Sequence, residues 1–141
     1  MTGGLNPGLG LAILRVVVGI IFVAHGVPKL TGGMEATAGY FASLGIPAPT
    51  LAAWAIALLE TVGGALLVVG FLVVPVAILL ALHMTTGIFL VHLANGFYVI
   101  GPGQGGVEFN LLLVAALLAF VFVGPGAGAL DRRRVGDAIT A

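Results

Sequence analysis

No cysteine occurs in the sequence. Its absence excludes a structural disulfide, thiolate ligands to a metal, and thiol–disulfide chemistry carried by the chain itself. Charge is almost as scarce. Five Lys and Arg and five Asp and Glu make up 7% of the 141 residues, and the formal net charge is zero. A soluble domain averages about 25% charged residues, so a water-exposed fold is excluded. There is no basic face, and no nucleic-acid partner is expected. The three histidines form no pair at the i, i+3 or i, i+4 spacing of a helical metal site, so no metal is expected on His25, His92 and Glu108. Haem held between His83 and a second histidine is disfavoured because His25 and His92 fall nearer the other face of the membrane. The glycines of 101–106 have no preceding strand and no following lysine, so they do not form a phosphate loop. With no nucleophile triad either, independent catalysis is not expected.

What is present is apolar. The chain is 60% hydrophobic and holds 23 glycines. The fold class that follows is all-α: a polytopic membrane protein, one domain over 1–141, built as a four-helix transmembrane bundle. Apolar runs place the helices at about 8–30, 51–72, 76–96 and 107–123, lengths that approach or match a hydrocarbon core of ~30 Å. Residues 34–44 predict a short interfacial helix between helices 1 and 2, ended by Gly45 and the Pro47, Pro49 pair. Residues 73–75 predict the turn between helices 2 and 3. The first run lacks a preceding basic region and a small-residue cleavage site, so it is expected to be a retained helix rather than a signal peptide. Arg132, Arg133 and Arg134 form a basic tail in 131–141. Three adjacent arginines resist translocation, so both termini are expected in the cytoplasm.

The few polar side chains are not scattered. At about 100° per residue, Gly19, Phe22, His25, Gly26 and Lys29 all fall within about 80° of Arg15 on helix 1. Glu60 shares a small-residue groove with Ala53, Ala57, Gly63 and Gly64 on helix 2. His83 and His92 lie about 180° apart on helix 3 and cannot line one site unless the helix deforms. Glu108 falls in the first turn of helix 4, where free amides attract an anion. Counting ~1.5 Å per residue from the helix ends predicts two polar layers. The inner layer is Arg15, Glu60 and His83, a candidate site for ligand binding or proton relay, with His83 able to change charge near neutral pH. The outer layer is His25, Lys29, His92 and Glu108, with Gln104 or Asn110 at its edge. Each layer matches acid with base, which makes charge tolerable away from water.

Six stretches taken in order resemble a known family. They are R-x3-G-x2-F-x2-HG-x2-K at 15–29, YFASLGIPAP at 40–49, ExxGG at 60–64, the histidine of helix 3, VHxxxG at 91–96 and GPGxxxxD at 124–131. Together they resemble the DoxX family of small bacterial membrane proteins. The resemblance implies a four-helix bundle in the bacterial cytoplasmic (inner) membrane. It also implies a role in redox chemistry, as an accessory or quinone-facing subunit of an oxidoreductase complex with a soluble redox partner. Quinone is the one cofactor it suggests. In one respect the chain departs from the pattern: residues 72–76 lack the cation that this turn often carries. Two other classes stay open on the residues alone. One is a small-solute or ion permeation protein acting as a homo-oligomer. The other is a membrane scaffold whose polar pairs only hold the bundle.

Overall fold

Backbone amides have no water to bond in a lipid interior, so an apolar chain satisfies them within helices. The computed structural model describes residues 6–101 and 104–131, and among these the regular structure is all helical. The basic residues 132–134 lie outside the described residues. Helix α1 is Pro7–Pro28. Asn6 caps it by accepting the Leu9 amide at 3.0 Å, and Pro7 stands at the first position, where a missing N–H costs nothing. A wide turn at Lys29–Gly33 leaves helical geometry at Thr31 and Gly32, and the chain bends there into α2, Met34–Ser43. Helix α3, Pro49–Leu58, continues through a π-turn at Leu59–Gly63 into α4, Gly64–Val69. Helix α5, Val73–Gly87, continues through a second π-turn at Ile88–His92 and a short 3-10 turn. Helix α6 is Glu108–Val123.

Among the described residues, three helical stretches are long and apolar enough to cross a membrane: Pro7–Ser43, Pro49–Val69 and Val73–Asn95. Glu108–Val123 is a shorter apolar helix. The turn between the second and third stretches falls earlier than the sequence predicts. Gly70, at φ 74°, ends α4, with the Phe71 amide reaching back to the Leu66 carbonyl. Pro75 then sits inside the first turn of α5, where proline is tolerated. α5 has no local cap. Its first amides are bonded by Asp131, whose carboxylate oxygens accept from Leu72 at 2.9 Å and Val73 at 2.8 Å.

Helix α1 packs along α4, α5 along α6, and α2 along α3. The core lies between α1, α4, α5 and α6. Phe22, Leu67, Leu80, Leu117 and Phe120 are fully buried there. Lipid is as apolar as these side chains, so close packing rather than exclusion from water holds them together.

Candidate functional site

Two glycines set how α1 lies against the α3–α4 helix. A Cβ added at Gly19 would stand 2.6 Å from the Gly64 carbonyl oxygen and 2.9 Å from the Val68 nitrogen. One added at Gly26 would stand 2.6 Å from the Thr61 nitrogen and 3.0 Å from the Ala57 oxygen. The two backbones touch as only glycine permits. In this antiparallel register Arg15 falls beside Gly70, and His25 and Lys29 flank the π-turn that carries Glu60.

That register separates two residues that the sequence pairs. Arg15 does not meet Glu60. It is 3% exposed and spends its guanidinium on backbone carbonyls. Nε donates to Pro125 at 2.9 Å, Nη1 to Val68 at 2.9 Å and to Leu67, and Nη2 to Ala127 at 3.4 Å. The Leu67 and Val68 oxygens belong to the last turn of α4, where the Leu67 oxygen also takes the Gly70 cap amide at 3.1 Å. Arg15 therefore ties the end of α4 to the segment after α6. Sequence depth counting missed this because it assumed helices that start level.

Glu60 instead binds Lys29. The glutamate is 5% exposed, and both of its oxygens are taken. Oε2 accepts from the Lys29 ammonium, which also donates to the His25 carbonyl at 2.9 Å. Oε1 lies 3.0 Å from His83 Nε2. An ionised carboxylate only accepts, so the His83 nitrogen facing it carries the hydrogen. One member of the expected outer layer has thus joined two of the inner one. A single acid shared by two bases keeps charge bearable away from water.

This cluster lines a cleft of about 890 Å³, near the upper end of the range for small-molecule sites. Phe22 of α1, Tyr40 and Phe41 of α2 and Leu44 just after it form apolar walls, and α3, α5 and α6 complete it. His25 is exposed and lines the cleft. His92 lines it as well. The π-turn at Ile88–His92 explains how: one extra residue in the turn retards the helix by about 100°, which brings His92 round toward the His83 side. The deformation that the sequence required is present. Asn110, 6% exposed, also lines the cleft and donates to the Met84 carbonyl at 3.3 Å. Glu108 does not reach the cleft. It accepts the Val99 amide at 2.7 Å and borders a separate, smaller hollow. Gln104 is exposed and is not among the residues lining either space. Among the described residues no group of three or more His, Asp or Glu is arranged to hold a metal ion.

Sequence reasoning missed the α2 wall and the weight of Asn110. The signals were there: an aromatic pair at 40–41, and an amide in an otherwise unbroken apolar helix.

A chain with three helical stretches of spanning length and a charged cluster on the wall of an apolar cleft is a membrane protein. The family model described as DoxX matches residues 10–93. The chain is 35% identical over 133 residues to the inner membrane protein YphA of Escherichia coli (strain K12), covering 93% of this chain and 94% of that protein. It is 36% identical over 123 residues to a Bacillus subtilis (strain 168) protein named "Putative oxidoreductase CatD", covering 87% and 85%. It is 30% identical over 127 residues to the uncharacterized membrane protein Rv3486 of Mycobacterium tuberculosis, covering 85% and 78%. The chain belongs to the DoxX family. No solved structure matches it.

Proposed function

We propose that this protein is an accessory, quinone-facing membrane subunit of an oxidoreductase complex in a bacterial inner membrane. The observation that carries the reading is the cleft: apolar walls large enough for a ring, with Lys29, Glu60 and His83 converging on one side. The residues fit such a head group. Lys29 has three hydrogens and spends two on Glu60 and the His25 carbonyl, so one remains for a ligand oxygen. His83 has a second ring nitrogen free of Glu60, which in the neutral ring is an acceptor for a ligand hydroxyl. Glu60 orients both. A quinone, when bound, supplies a lipid-soluble acceptor for two electrons and two protons. The chain has no cysteine and no nucleotide loop of its own, so the electrons are supplied by a soluble redox partner. The relatedness to CatD agrees with this role.

In the same reading the whole chain is one domain and a four-helix bundle, with α6 as the fourth span. α2 lies at the membrane interface, in keeping with its having no buried residue. Purification in mild detergent, followed by identification of the accompanying lipids and proteins, tests the proposal. Quinone and a redox protein are expected with the native chain, and quinone is expected to be lost from Glu60→Gln. An E60Q variant that still folds and leaves the activity of the complex intact removes the proposal.

A further inference from the structure

The groups that can carry charge in the cleft are unequal in kind. Its lining includes Lys29 and His25 of α1, Tyr40 of α2, Glu60, His83 of α5 and His92. α6 brings Asn110 and no charge. Among the described residues that line the cleft, Glu60 is the one acid, and Lys29 and His83 take both of its oxygens. Glu35 of α2 and Glu108 of α6 do not line it. Lys29 and His83 bond one carboxylate, so they stand within a few ångström of each other. Their side chains are 23% and 16% exposed, against 6% for Glu60. The acid is sealed, and the two bases stay open to the cleft. An arriving cation finds no free acid there. An arriving anion finds Lys29, and a histidine that can charge to meet it.

We infer that the cleft takes its ring ligand as an anion together with one proton: a quinone-type ring bearing an acidic hydroxyl, with the proton held by His83. This rests on the reading of the cleft as a quinone-type site and names the kind of ring. With His83 neutral, the Lys29 ammonium and the Glu60 carboxylate balance. An ionised ligand brings one negative charge into an apolar space, where an unmatched charge is costly. One proton on His83 restores the balance. It costs the cluster no bond. Both nitrogens of an imidazolium are donors, so Nε2 keeps its hydrogen toward Glu60 while the second nitrogen takes the new one. The proton comes from the ligand hydroxyl or from water, and no electron moves. The added charge spreads over the ring, so its attraction across a low dielectric does not depend on which nitrogen the ligand meets. His83 is the histidine placed for this. It bonds the carboxylate that Lys29 also bonds, whereas His92 is turned to the Gly105 carbonyl and His25 bonds no acid among the described residues. Phe22, Phe41 and Phe109 in the walls suit a flat ring better than an alkyl chain.

The test is calorimetric binding to the detergent-purified full chain near neutral pH. The probes are lawsone, a naphthoquinone whose ring hydroxyl is ionised there, its methyl ether, menadione, and laurate as an aliphatic acid. Repeating each titration in buffers of different ionisation enthalpy counts the protons taken up. Lawsone is expected to bind about tenfold or more tightly than its ether and menadione, with about one proton taken up per ligand. His83→Gln keeps a donor for Glu60 but cannot take a proton. It is expected to lose the uptake and to shrink the preference to about twofold or less, with menadione affinity near its native value. His25→Gln and His92→Gln are expected to keep the uptake. Uptake that survives His83→Gln and is lost from either of these overturns the assignment to His83. The comparison of probes on the native chain needs no variant, so a misfolded variant does not blunt it. Equal binding of lawsone and its ether, or binding of lawsone without proton uptake, overturns the anionic class while the quinone-type site stands. Tighter binding of laurate than of lawsone overturns the aromatic class. Binding of none of the ring probes overturns both this inference and the reading beneath it.

Discussion

Arg15 and Lys29 are both cations on one stripe of one helix, yet they find opposite kinds of partner. Arg15 has a planar fork of five hydrogens and spreads it over four carbonyls. Lys29 has a compact ammonium and takes a single carboxylate with one carbonyl. Arg15→Ala takes that donor from the buried oxygen of Leu67 and the partly buried ones of Val68, Pro125 and Ala127, so about 2–4 kcal/mol of stability is expected to be lost. Arg15→Lys is expected to recover less than half of it, because one ammonium cannot span the same set. Unfolding midpoints in detergent measure both, and limited proteolysis is expected to cut near 124–131 first. At the other cation the expectation is coupling. Lys29→Met and Glu60→Gln should each destabilise, and the double variant should cost about 1–3 kcal/mol less than their sum, since the second change removes a charge already stranded by the first. A double-mutant cycle that adds without interaction would contradict the pairing.

At the scale of elements, the helices were legible because twenty-residue apolar runs have no other stable form in lipid. Their ends were legible to within a few residues, since Pro7, Pro49, Gly70 and Gly124 mark them. The faces were less so. A steady 3.6-residue count passes through Leu59–Gly63 and Ile88–His92 as if they were ordinary turns. Both are π-turns, and nothing in their composition announces the extra residue. That is why His92 was set opposite His83. The glycines, by contrast, spoke plainly, since Gly19, Gly26 and Gly64 marked the side by which the helices approach. Gly26→Ala is expected to cost about 2 kcal/mol or more, because the new Cβ would meet Thr61 and Ala57 backbone atoms that cannot move aside. Gly10→Ala, on the same helix with nothing within 4 Å, is expected to change stability by less than about 1 kcal/mol. The same detergent unfolding assay separates the two, and equal effects would count against the close approach of α1 to α3 and the π-turn that follows it.

At the scale of the whole molecule, long-range contacts that no local pattern carries decide the arrangement. Asp131 was visible only as the last letter of a family motif, yet it caps α5 from 58 positions away. The Ala127 amide bonds the Gly8 carbonyl at 2.7 Å, so the start of α1 and the segment after α6 lie at one end of the molecule, with the α4–α5 turn beside them. The cleft, α2 and the loop that carries Gly105 lie toward the other end. Arginines at 132–134 follow directly on Asp131, and adjacent cations next to a span favour the cytoplasmic side. Both termini are therefore expected inside, with the cleft in the outer half of the membrane and its redox partner meeting it from that side. Fusions decide this: a reporter active only outside the cytoplasm should be silent after Ala141 and active when inserted at Gly45, where no side chain would meet a neighbour. Activity after Ala141 with silence at Gly45 would turn the molecule over and bring the Lys29–Glu60–His83 cleft to face a cytoplasmic partner instead.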